Sequence, residues 1–83
     1  MDKNLKDITY FISFCIEQYM NAKGINEDEA IATFSKHGVF DYLKDYFEVL
    51  HTQSRQWIVA DLEEFINDRK KNKLNKLHYD RRN

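Results

Sequence analysis

The sequence has no proline, two glycines and one cysteine among its 83 residues, and each scarcity narrows what the chain can be. Without proline nothing forces a kink, so helices dominate, and Gly24 and Gly38 are the natural stops. A lone Cys15 cannot form an internal disulfide. Set among Ile12, Phe14 and Ile16, it reads as a small buried hydrophobe in a reducing cytoplasm. The apolar runs are short, and Lys3, Lys6 and Asp7 interrupt the first of them, so neither a signal peptide nor a membrane span is expected. The three histidines, His37, His51 and His78, share no ligand spacing. No phosphate loop or catalytic triad is spaced along the chain either, so no metal, no cofactor and no enzymatic activity is expected.

What is present is aromatic bulk and a divided charge. Twelve aromatics, six Phe, five Tyr and one Trp, let a chain this short build a dense core, since each enclosed ring buries about 150–250 Å². The formal net charge of -1 conceals two opposite halves. Residues 1–68 hold six Lys/Arg against thirteen Asp/Glu, and residues 69–83 hold seven against one. The chain therefore divides into an acidic helical core domain, 1–68, and a basic C-terminal extension, 69–83.

The periodicity predicts an all-α, small four-helix domain. From about Lys3 to Ala22, Leu5, Ile8, Ile12, Cys15 and Tyr19 recur at steps of three and four, with Ile16 beside them, forming one apolar stripe. Tyr10 and Phe14 fall on the opposite side, so this helix carries aromatics on both faces. Either a later segment folds over that second face, or it is a contact surface for a partner. Gly24 ends this helix. Asn26 and Glu29 have capping-box spacing, opening a second helix from Glu27 to Lys36 that packs through Ala30, Ile31 and Phe34.

A third helix is expected from about Val39 to Leu50, with Val39, Phe40, Leu43, Tyr46, Phe47 and Leu50 inward and Asp41, Lys44, Asp45 and Glu48 outward. The polar run His51 to Arg55 then reads as a loop. Trp57, Ile58 and Val59 favour either a short extended segment or a first helical turn. Asp61 with Glu64 repeats the capping spacing, which places the start of a fourth helix at Leu62, burying Leu62, Phe65 and Ile66 and continuing to about Leu77.

Taken together, Gly24 to Asn26, Glu29-Ala30, Phe34 to Leu43, Ile58-Val59 before Asp61-Leu62, and above all Glu48-Val49-Leu50-His51-Thr52-Gln53 resemble a bacterial family of short proteins catalogued as domain of unknown function 3791. The likeness spans about Ile8 to Arg69, and Ser54 stands where the family pattern has glycine. The resemblance implies a small α-helical domain without assigned catalytic residues. It also implies a genetic neighbourhood of other small domains, including one like an ADP-ribosyltransferase, as in toxin–antitoxin or effector–partner pairs.

Several surfaces compete for a role. His51-Thr52-Gln53 joins an imidazole, a hydroxyl and an amide, yet helix closure and loop tethering account for all three. Asp41, Asp45 and Glu48 form either a solvated face or an acidic dock for a basic partner. They also rule out the third helix as a DNA-reading element, because phosphate repels them. The expected function is that of a small cytoplasmic protein-binding domain, the partner or antitoxin of a neighbouring effector, with a second copy of the chain as another candidate partner. Tyr10, Phe14, His51, Gln53, Arg55 and Trp57 are its expected contact residues. The alternative is nucleic-acid binding through Arg69, Lys70, Lys71, Lys73, Lys76, Arg81 and Arg82, with an affinity that is mostly sequence-independent and falls steeply with salt.

Overall fold

A computed structural model describes the chain from residue 2 to residue 82, with side chains described from residue 5 to residue 71. The described residues form five helices and no strand: α1 (Asp2–Lys23), α2 (Glu27–Lys36), α3 (Val39–Asp45), α4 (Phe47–Leu50) and α5 (Arg55–Arg82). Four of these have seven residues or more, and α4 is a single turn. The fold is thus all-α, as the periodicity implied.

α1 is the hub, packing against α2, α3 and α5. It contributes Phe11, Cys15 and Tyr19 to a core completed by Ala30 and Phe34 of α2, Val39 and Leu43 of α3, Phe47 and Leu50 of α4, and Ile58, Leu62 and Ile66 of α5. Phe34 is fully enclosed, with the rings of Tyr19 and Phe40 5.4 and 5.6 Å from its own. Phe11 meets Phe47 edge-on at 5.6 Å. Tilted and edge-to-face pairs of this kind are the arrangement the ring quadrupole favours.

The helix boundaries follow local chemistry. Asn26 closes the expected capping box: its side chain accepts the Glu29 amide at 2.8 Å, and the Glu29 carboxylate accepts the Asn26 amide at 3.2 Å. Gly24 and Gly38 both sit at positive φ, 66° and 70°, in the left-handed region that L side chains enter at a cost. Both therefore reverse the chain where the sequence placed stops.

Three expectations need correcting. The third helix is not continuous to Leu50. It breaks at Tyr46, whose φ of -111° and ψ of 22° leave the helical region. The break turns Phe47 and Leu50 into the core and leaves Tyr46 outside, against Tyr42, instead of on the buried stripe. Next, α5 begins at Arg55 and not at Leu62, so Trp57-Ile58-Val59 is helical and the connection is the short turn 51–54. Its cap is Ser54: the Ser54 hydroxyl accepts the Trp57 amide at 3.1 Å and its carbonyl accepts the Ile58 amide. Asp61 caps nothing and instead accepts the hydroxyl of Tyr42 at 2.6 Å. The helix also passes Leu77 and ends at Arg82.

The third correction concerns which side chains are inside. Leu5 and Ile31 are exposed, and Phe11, absent from the predicted stripe, is buried. The inward line of α1 runs through 11, 15 and 19 at steps of four, with Ile8, Ile12 and Ile16 only packed against its edge.

Candidate functional site

The turn after α4 brings His51, Thr52 and Gln53 together, and the side chains of the first two and the backbone of the third each have a structural task. The His51 ring stacks on Phe47 at 4.4 Å and 15°, and its Nδ1 lies 2.7 Å from the Phe47 carbonyl. That carbonyl can only accept, so Nδ1 carries the proton of this bond. The Thr52 hydroxyl donates to the Val49 carbonyl at 2.9 Å, and the Gln53 backbone N–H donates to the Leu50 carbonyl at 3.1 Å. These bonds satisfy the orphan carbonyls at a helix end. No nucleophile or second acid–base group joins them among the described hydrogen bonds, and no described group of three His, Cys, Asp or Glu is placed to hold a metal ion.

The remaining expected contact residues divide. Tyr10 stands 65% exposed on α1. Phe14, expected beside it on an open face, is half-buried and packs against the core. Arg55 and Trp57 lie in the first turns of α5, and Trp57 is 43% exposed. Residues that the sequence did not mark give Arg55 a setting. Gln18, Asn21 and Ala22 of α1 face Gln56, Val59, Ala60 and Glu63 of α5 across an open cleft of about 500 Å³ that Arg55 also lines. Lys23 and Glu63 pair at 3.4 Å beside it, half-exposed. The alanines at 22 and 60 signal this cleft, because small side chains on facing helices leave room between them.

A second assembly lies on α3 and α5. Tyr42 stacks on Phe65 at 4.1 Å and 14°, Tyr46 meets Tyr42 at 5.4 Å, and the Arg69 guanidinium sits 4.9 Å over Phe65. Arg69 also covers Gly38, where an added Cβ would meet its Nη2 at 3.5 Å. Burial, the hydrogen bond to Asp61, and the negative charges of Asp61 and Glu64 together push the Tyr42 phenol above its usual range. Burial, and secondarily the charge of Asp61, pushes the Cys15 thiol up to about 12, so it stays protonated and unreactive.

Of the basic residues, Arg69 is engaged within the fold, whereas Lys70 and Lys71 are exposed on α5. Lys73, Lys76, Arg81 and Arg82 lie outside the described side chains. No helix among the described residues is long and apolar enough to cross a membrane. Compared with known sequences, residues 10–69 match a family model described as "Protein of unknown function (DUF3791)". No curated protein and no solved structure matches the chain.

Proposed function

We propose that this chain, which belongs to the DUF3791 family of proteins of unknown function, is a cytoplasmic domain that works by binding another protein, in the manner of a small partner or antitoxin of an effector encoded beside it. The observation that carries the reading is that large rings remain in water on the two longest helices: Tyr10 on α1 and Trp57 on α5, with Arg55 beside the cleft between those helices. Tyr, Trp and Arg are the residues that most often dominate interface energetics when a partner covers them. Burying such rings costs little conformational entropy, whereas leaving them in water forgoes about 25 cal/mol per Å² of apolar surface. Phe14 is half-buried against the core and offers less to a partner than Tyr10, while the His51 ring and the Gln53 backbone hold the turn before α5 in shape.

The test is co-expression with the product of the adjacent gene, an ADP-ribosyltransferase-like protein in the expected arrangement. The wild-type chain should co-purify with it. Tyr10→Ser with Trp57→Ser should weaken the complex by about thirtyfold or more, the size of one lost hot spot, while leaving the melting temperature unchanged. Equal affinity of the two proteins contradicts the reading. The exposed Lys70 and Lys71 favour a second one, in which the basic end of α5 holds nucleic acid. Under it, Lys70→Glu with Lys71→Glu would abolish salt-sensitive retention on DNA or RNA.

A further inference from the structure

The run of rings on α3 and α5 has two ends, and the fold fills one of them. At the Phe65 end a guanidinium, that of Arg69, lies over the ring face at 4.9 Å. At the other end Tyr46 is 56% exposed, and Val49, one helical turn on, is 61% exposed. The break at Tyr46 creates this situation, since a continuous helix would have carried Tyr46 inward with Phe47. An exposed Tyr beside an exposed Val forms a small apolar platform that the described residues leave uncovered.

The charge around the platform decides what covers it. On the helical wheel Asp45 falls within about 60° of Tyr42, while Lys44 falls about 160° away. On α5, Asp61, Glu64 and Asp68 recur at steps of three and four and share a face with Phe65. The Asp61 carboxylate is 2.6 Å from the Tyr42 hydroxyl, and the charge of Glu64 is felt at the same phenol. Glu48 is exposed next to Val49 in the chain. Arg69 is the cation that the described contacts bring to this run, and it is already committed to Phe65 and Gly38. An anion or a nucleic-acid phosphate would be repelled here. A planar cation would find both a ring face and carboxylates, and arginine suits this better than lysine because its weakly hydrated guanidinium stacks and pairs at once.

We propose that Tyr46 and Val49, with the exposed Asp45 and Glu48 next to them in the chain, form a docking surface for an arginine-bearing segment of another protein, whose guanidinium would lie on the Tyr46 ring as Arg69 lies on Phe65. The surface shares no residue with Tyr10 and Trp57, so it stands or falls independently of the reading above. It makes the acidic body a receiver of basic partners, with the ring adding geometric preference to long-range attraction.

The experiment uses the full chain and a hexa-arginine peptide, with hexa-lysine for comparison, followed by amide and side-chain chemical shifts at low salt. The expected result is that hexa-arginine shifts Tyr46 and Val49 first and binds more tightly than hexa-lysine. Tyr46→Ser should weaken hexa-arginine about two- to fivefold, the worth of one exposed cation–π contact. Asp45→Asn with Glu48→Gln should weaken it further, while Glu27→Gln with Asp28→Asn on α2, and Tyr10→Ser with Trp57→Ser, should leave it unchanged. Tyr46 is exposed, so its variant should keep the wild-type melting temperature. Equal weakening by the α2 and α3–α4 acid pairs would reduce the effect to bulk charge and overturn the proposal. So would indifference to Tyr46→Ser. Concentration-dependent sedimentation of the chain alone that Tyr46→Ser abolishes would also overturn it, assigning the surface to a second copy.

Discussion

At the scale of single residues, two buried groups make sharp expectations. Cys15 is enclosed and its thiol is held protonated, so a thiol reagent at pH 8 should react with the native protein at a small fraction of the rate seen in denaturant. Rapid native labelling would show that the core opens around α1. Tyr42 donates to Asp61, and its folded pKa is raised above its unfolded one, so the neutral phenol is favoured by folding. The stability this adds is fully present below about pH 10, the unfolded value, and is lost as pH rises through the higher folded one. Tyr42→Phe should therefore cost about 1 kcal/mol at pH 8, modest because the site is half-open. The gap between the two proteins in urea midpoint should narrow above about pH 10. The role of His51 was only half legible in the sequence: its closure of the helix end was, but its stacking on Phe47 depends on a backbone break that no residue pattern announces.

At the scale of elements, the lesson is how caps compete. Asn26-Glu29 and Asp61-Glu64 have the same spacing, yet only the first is a capping box. Asp61 is claimed by a tertiary partner, Tyr42, and Ser54 takes the cap although Trp57, not Glu or Gln, stands three residues on. The apolar spacing of Ile58, Leu62 and Ile66 at steps of four was the available sign that the helix begins earlier. Ser54→Ala should accordingly cost about 1 kcal/mol and speed amide exchange at Trp57, as should Asn26→Ala at Glu29. Asp61→Ala should leave exchange at Trp57 and Ile58 unchanged, because it caps nothing. Gly38→Ala should cost about 1–2 kcal/mol from its positive φ alone, since Arg69 leaves room for a methyl group. The two glycine stops, the Asn26 cap and most of the α2 core were readable because their causes are local. The split at Tyr46 and the burial of Phe11 were not, because Phe11 and Phe47 define each other across the core.

At the scale of the whole molecule, α5 runs from Arg55 to Arg82 across the point where the charge changes sign, so the acidic body and the basic extension share one helix. Under the proposed function that polarity steers partners, and its effect should fade as salt shortens the Debye length. The proposed contact surface was partly legible in the sequence: Tyr10 and Trp57 were marked and are exposed, whereas the cleft between α1 and α5 needs both helices in place before Gln18, Asn21 and Gln56 meet. Everything functional in this account rests on exposed rings being covered by another protein. The direct measurement is the affinity, by titration calorimetry at 0.15 M salt, of the adjacent gene's product for the wild-type chain and for Tyr10→Ser with Trp57→Ser, both shown to melt alike. The account predicts a complex with the wild type weakened about thirtyfold or more by the substitutions; no complex with the wild type, or one the substitutions leave intact, would contradict it.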